Sequence, residues 1–180
     1  LVIHRSGGWD WADHGDNIDM APIENAWYYM ALKSGKEMAE VLGKSTDIGF
    51  YETRMKSIES HYNQAFWTAS GYYHSTGNGQ PDDRANAMAV VAGLADSGKY
   101  PTITTVLTNH KNASPFMEKY VLDALSQMGE MTTAQSRIEE RYAIMTNSDQ
   151  ACSTLWEFWN KSQGSYNHGW RGGPLITMSR

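Results

Sequence analysis

The strongest constraint on this chain's fold is the spacing of its apolar residues. Ile48, Tyr51, Met55, Ile58, Tyr62 and Ala65 recur in steps of three and four. That spacing predicts one apolar stripe along a helix of about five turns. The same rhythm returns along the rest of the chain, broken each time by residues that start or stop helices. Pro22 sits where a first helical turn begins, and a helix is predicted from Ile23 to Leu42, ending at Gly43. Thr46 is placed to cap the second helix. A turn or short hairpin is expected between Gly71 and Pro81, around Gly77-Asn78-Gly79.

Five more helices follow. Ala85, Met88, Ala92 and Ala95 mark a third, and Pro101 opens a short fourth through Ile103, Val106 and Leu107. Ser114-Pro115 reads as a cap followed by a first-turn proline, with Phe116, Tyr120, Ala124 and Met128 expected to face inward. Thr132 or Thr133 starts a sixth, with Ile138, Tyr142 and Met145 on one face. After a loop from Thr146 to His168, a last helix is expected near Gly173. No strand alternation interrupts the series, so the fold class is all-α and built from helical hairpins, as in bundles, solenoids or closed helical barrels. No fixed-period repeat supports a regular solenoid.

Composition excludes several functions. The chain has 180 residues, one expected domain over 1–180, and a net charge of -5 with its fifteen basic residues scattered. Nucleic-acid binders concentrate Lys and Arg, so no nucleic-acid partner is expected. No apolar run approaches the roughly 20 residues of a membrane span, so no membrane partner is expected either. Cys152 is the single cysteine, which rules out an internal disulfide and a multi-thiolate zinc site. Seven Trp and ten Tyr stand against four Phe. Indole and phenol combine a flat apolar face with a polar edge, which suits sugar rings as well as cores.

Three segments carry candidate chemistry. In the first, Asp10, Asp13, Asp16 and Asp19 fall at steps of three, with His4 and His14 nearby. A calcium loop over Asp13 to Glu24 fails, because Gly15 and Ile18 stand where Asp or Asn and Gly are required. A His/Asp metal site, a solvated loop capping the first helix, and a sugar-binding loop in which Trp9 and Trp11 stack on a ring all remain open. The second segment is Trp156-Glu157-Phe158-Trp159. A carboxylate between indoles is expected to be partly desolvated, with a raised pKa suited to proton transfer. The alternative is an amphipathic turn with Glu157 outward. The third is Ser165-Tyr166-Asn167-His168-Gly169-Trp170, which reads as polar pocket groups or as a helix cap with a packed Trp. Phosphate loops, nucleophile elbows and paired-histidine zinc helices are missing.

In order, these pieces resemble the six-hairpin glycoside hydrolases typified by bacterial α-L-rhamnosidases. Asp10-Trp11-Ala12-Asp13-His14-Gly15 is similar to that family's Gly-Asp-Trp-x-Asp-x-Gly loop, and Gln80 to a Gln that opens a later barrel helix. Thr154-Leu155-Trp156-Glu157 and Ser165-x-Asn167-His168 are similar to its Thr-x-Trp-Glu and Ser-x-Asn-His pair. Trp9 stands where the family has glycine, and Gly169-Trp170-Arg171 departs from its aromatic-small pair.

The resemblance implies an (α/α)6 barrel of twelve helices, of which this chain is expected to supply roughly the C-terminal half. It implies inverting hydrolysis of a carbohydrate substrate without a cofactor or metal, with Glu157 as general base. Asp10, Trp11, Asp13, Trp156 and His168 are then the expected substrate-binding residues, and the general acid is expected upstream of Leu1. A half barrel alone is expected to be inactive and, through exposed apolar stripes, to self-associate. Rival expectations are another helical-barrel glycosidase, a non-catalytic carbohydrate-binding relative, and a plain helical scaffold in which Trp156, Trp159 and Trp170 are buried with no cleft between them.

Overall fold

A computed structural model describes residues 1–3, 11–76, 79–147 and 154–179. Among the described residues there are seven α-helices: α1 (Met20–Val41), α2 (Ser45–Phe66), α3 (Asp83–Ala92), α4 (Tyr100–Asn109), α5 (Pro115–Gln127), α6 (Met131–Thr146) and α7 (Gly173–Met178). Two isolated antiparallel bridges, Trp67 with Tyr73 and Trp156 with Tyr166, are the only extended pairing among those residues.

Local chemistry explains most helix ends. Ser114 accepts a hydrogen bond from the Phe116 amide and Pro115 occupies the first turn of α5, where its missing N–H costs nothing. The α1 helix begins at Met20, earlier than the expected Ile23, because Pro22 sits inside the first turn, where amides have no intrahelical acceptor. It stops before Gly43, whose φ of +65° favours glycine and lets the Lys44 amide close on Ala39 O at 2.8 Å. The α2 helix is not capped by Thr46: its N-cap is Lys44, without a side-chain cap.

Packing separates the helices into two rows. The helices α1, α3, α5 and α7 each pack on the next, while α2 backs α1, α4 backs α3 and α6 backs α5. Inner helices lie between neighbours and bury most of their circumference. In α3 all residues but Val91 are buried, and in α5 Met117, Val121, Leu122, Ala124 and Leu125 enter the core. The short side chains of Ala85, Ala87, Ala89 and Ala92 let helices approach α3 on every side. Two expected stripes are corrected by this arrangement. Of Phe116, Tyr120, Ala124 and Met128, only Ala124 is fully buried, because α5 is buried around most of its circumference rather than along one stripe. On α2 the buried track runs Ile58, Tyr62, Phe66 and leaves Ala65 exposed. Upstream, Tyr51 lies against Gly35, where an added Cβ would come within 2.8 Å of its ring.

Alternating inner and outer helices make the inner row parallel, so the N-termini of α1, α3 and α5 share one end. Hydrogen bonds between their cap segments confirm it. The Asp19 amide donates to Asp82 Oδ2 at 3.1 Å, and the Ser114 amide donates to Asp13 Oδ2 at 2.9 Å. Helix N-termini carry partial positive charge, so this end favours carboxylates.

Candidate functional site

The end face is held by the three residues that open α3. Asp82 caps the helix, accepts from Arg84 Nε at 2.8 Å and holds the Asp19 amide. Arg84, 1% exposed, reaches the carbonyls of Asp16 and Asn17 at 3.2 and 3.3 Å and lies 3.5 Å from Asp13. Asp83 accepts from the Asn112 amide at 3.0 Å and from Arg137 Nη2 at 2.6 Å. Arg137 in turn pairs with Glu118, which also accepts from Arg141 at 2.6 Å. Loops 11–19 and 110–114 are therefore fixed from below by buried charge.

Asp13 belongs to this framework. It is 3% exposed, and both of its oxygens accept from Ser114, one from the amide and one from the hydroxyl. Burial pushes its carboxyl above the ordinary aspartate range, against the pull of the Ser114 donors and Arg84. Its side chain faces the core, because the first turn of α5 offers it donors. Asp10 and His4 lie outside the described residues.

Glu157 lies on a small clasp. Its amide donates to Ser165 O at 3.0 Å, and the Asn167 amide donates to Leu155 O at 3.0 Å. Arg171, 1% exposed, donates to the carbonyls of both Leu155 and Ser165 and so ties the two segments together. In an extended segment neighbouring side chains alternate sides. Trp156 accordingly points inward, 0% exposed, against Tyr142 and Met145. It is a core residue in this structure.

Glu157 points the other way. Its Oε2 accepts from the Ser165 amide and the Ser165 hydroxyl, both at 2.7 Å. These two donors hold the carboxyl below the ordinary glutamate value, outweighing desolvation, with His168 and Arg171 adding to the effect. The expected rise in pKa is therefore reversed: the side chain is not sandwiched between indoles, and Ser165 stabilises its ionised form. Gly164 makes this possible. It has a φ of +65°, and an added Cβ would lie 2.5 Å from the Phe158 ring and 2.8 Å from Glu157 Oε2.

Beside the clasp lies a group of rings drawn from three loops and α5. Trp11, 39% exposed, stacks near Trp170 with centroids 6.2 Å apart and touches His14 at 5.1 Å and Phe116 at 4.9 Å. His14 meets Phe158 at 4.5 Å, and His168 lies over Trp170 at 3.8 Å. His168 Nδ1 and Trp170 Nε1 are buried and have no hydrogen-bond partner among the described residues. The structure thus brings Trp11, His168 and Glu157 to one face and turns Asp13 and Trp156 inward.

Trp170, Phe158 and Phe116 join this face although nothing in their spacing assigns them to it. Only the tendency of aromatic residues to gather could have pointed there. A cleft of about 470 Å³ opens next to them, bordered by His14, Asn112, Ser114, Phe158, Trp159 and Gln163. Trp159 and Trp170 are half-buried, so the arrangement expected of a plain scaffold is not met. Among the described residues no group of three His, Cys, Asp or Glu is placed to hold a metal ion.

The seven helices and this end face are those of part of a helical-hairpin domain. Residues 2–179 match the family described as the bacterial alpha-L-rhamnosidase six-hairpin glycosidase domain, and the chain belongs to that family. A rhamnosidase from Klebsiella oxytoca, solved with rhamnose bound, is similar with a TM-score of 0.74 and 19% identity, over 91% of this chain and 35% of that one. A GH78 family rhamnosidase of Bacillus sp. GL1 is similar with a TM-score of 0.75 and 20% identity, over 96% of this chain and 20% of that one. The chain thus spans about a third and a fifth of those two proteins. No curated protein matches it.

Proposed function

We propose that this domain serves in the inverting hydrolysis of terminal α-L-rhamnosides, with Glu157 as the general base. One observation carries the reading: Glu157 is a carboxylate with one oxygen locked and one available. Oε2 is occupied by the two Ser165 donors, while Oε1 accepts no hydrogen bond among the described residues. A lowered pKa keeps the group ionised near neutrality, as a base that takes a proton from water must be.

The neighbouring rings, Trp11 among them at 39% exposed, supply apolar faces for the sugar. The rhamnose in the Klebsiella oxytoca relative supports the choice of sugar. An inverting pair stands roughly 6.5–9.5 Å apart so that water fits between them. The general acid is expected from outside residues 1–180, and the isolated chain is expected to be inactive.

The test is release of nitrophenol from an aryl α-L-rhamnoside by the full-length protein and by its Glu157→Gln variant. The variant should lose several orders of magnitude in kcat while still binding rhamnose. Turnover that survives in Glu157→Gln would remove the general-base role. Sugar binding without turnover in the wild type would instead favour a carbohydrate-binding relative.

A further inference from the structure

The clasp that carries Glu157 is small. One antiparallel bridge, Trp156 with Tyr166, joins its two segments, closed by the Glu157 amide on Ser165 O and the Asn167 amide on Leu155 O. A two-stranded pair of this size is marginal in water. Its segments are also unequally anchored. Trp156 is buried against Tyr142 and Met145 of α6, and its amide donates to Met145 Sδ at 3.5 Å. Ser165, Tyr166 and Asn167 are all exposed, so no buried side chain of their own ties the second segment to the core. Yet that segment supplies both donors to Glu157 Oε2.

Arg171 reaches this segment from the core side. It lies on the turn Gly169–Gly172, 1% exposed, and donates through Nη1 to Leu155 O and through Nη2 to Ser165 O. These are the two carbonyls that accept the clasp amides, so the guanidinium fills the second acceptor position of each. Its planar fork spans two acceptors at a fixed separation, which a lysine ammonium does not do. The turn itself is anchored to α5. Trp170 meets Phe116 with centroids 5.2 Å apart, and an added Cβ at Gly173 would lie 3.1 Å from Lys119 Cα. Among the described residues no carboxylate bonds the guanidinium and its Nε has no partner, while the carboxylate it acts on through charge is Glu157. A buried cation without a bonded carboxylate is costly, so stability alone does not explain its place.

We propose that Arg171 is a positioning residue for Glu157: by bridging the Leu155 and Ser165 carbonyls it holds Ser165 against one carboxyl oxygen and leaves the other free to meet water. Its consequence for turnover rests on the general-base reading above. The hold on the clasp rests only on the two carbonyls, the exposed second segment and the anchored turn.

The experiment uses the full-length protein and the variants Arg171→Met and Arg171→Lys. On an aryl α-L-rhamnoside, Arg171→Met should lower kcat about ten- to a hundredfold and change KM by less than about threefold, as a slightly misplaced reacting group does. The acidic limb of the kcat profile should move to higher pH. The Ser165 donors that keep Glu157 ionised are loosened, while His168, the other ionisable group acting on it, is unchanged. A merely destabilised protein would lose active fraction without moving that limb. Arg171→Lys keeps the charge and the stem but not the fork, and should fall between the two. If Arg171→Met does not fold, the kcat and the limb of Arg171→Lys decide alone.

Hydrogen exchange read by mass spectrometry needs no turnover. In Arg171→Met the amides of 155–167 should exchange at least about tenfold faster, while those of α3 and α5 keep their rates. Faster exchange spread over α3 and α5, or a kcat loss with an unmoved acidic limb, would overturn the proposal. If Glu157→Gln stays active while only the clasp exchanges faster, the general-base reading falls and the hold of Arg171 on the clasp stands. If Glu157→Gln is inactive while both Arg171 variants keep wild-type exchange, kcat and acidic limb, the Arg171 proposal falls alone.

Discussion

Replacing Arg137 with methionine tests whether the candidate site depends on the buried charges beneath it. The guanidinium donates to both Glu118 oxygens at 2.6 and 3.0 Å, to Asp83 Oδ2 at 2.6 Å, to His110 O at 2.8 Å and to Leu107 O. Methionine can fill the space of the stem but makes none of these bonds. Glu118 would keep Arg141, while Asp83, 0% exposed, would keep only the Asn112 and Ala113 amides. Removing one partner of a buried ion pair costs about 3–5 kcal/mol. Since a domain is stable by about 5–15 kcal/mol, that is a large share.

Urea unfolding followed by tryptophan fluorescence reads the loss directly. A variant combining Arg137→Met with Asp83→Asn should recover at least half of it, because the cost lies mainly in the uncompensated Asp83 charge while Glu118 keeps Arg141. A loss below about 1 kcal/mol for Arg137→Met would refute the reasoning. So would a combined variant no more stable than the single one.

Three further outcomes are expected. Ser165→Ala removes the hydroxyl donor that lowers the Glu157 pKa, so the folded value rises toward 4.5. Activity that needs the ionised carboxylate is lost as pH falls through that value, so the acidic limb of kcat/KM should move to higher pH, and an unmoved limb counts against the assignment. Gly164→Ala places a methyl group against Phe158 and Glu157 at a positive φ, and should lower thermal stability by about 1–3 kcal/mol and depress turnover more than Gly43→Ala, where an added Cβ meets nothing. Exposed Met38, Val41, Leu42 and Phe50 near the α1–α2 turn, with Leu175, Ile176 and Met178 on α7, should make the isolated 180-residue chain self-associate, and a monodisperse monomer in light scattering would contradict this.

Helix order was legible in the sequence because its signals are local. Pro22, Pro101 and Ser114-Pro115 mark helix starts, and Gly43 marks an end, through backbone geometry that acts within a turn. The order of the Asp-Trp, Trp-Glu and Asn-His segments likewise pointed to the family that residues 2–179 match. What those segments do was less legible. The direction of the Glu157 pKa shift depends on donors eight residues away, held beside it by the backbone bonds of the clasp and by Arg171. Whether Asp13 faces solvent or core was decided by Ser114, 101 residues along the chain. Trp11 and Trp156 are the same residue type in aromatic motifs, yet one is exposed and the other buried, because each loop's path across the end face sets the direction of its side chains. Spacing along the chain reports periodicity and caps. Which donors surround a carboxylate, and which side of an extended segment meets the core, are set by residues distant in sequence, and only the tertiary fold brings them together.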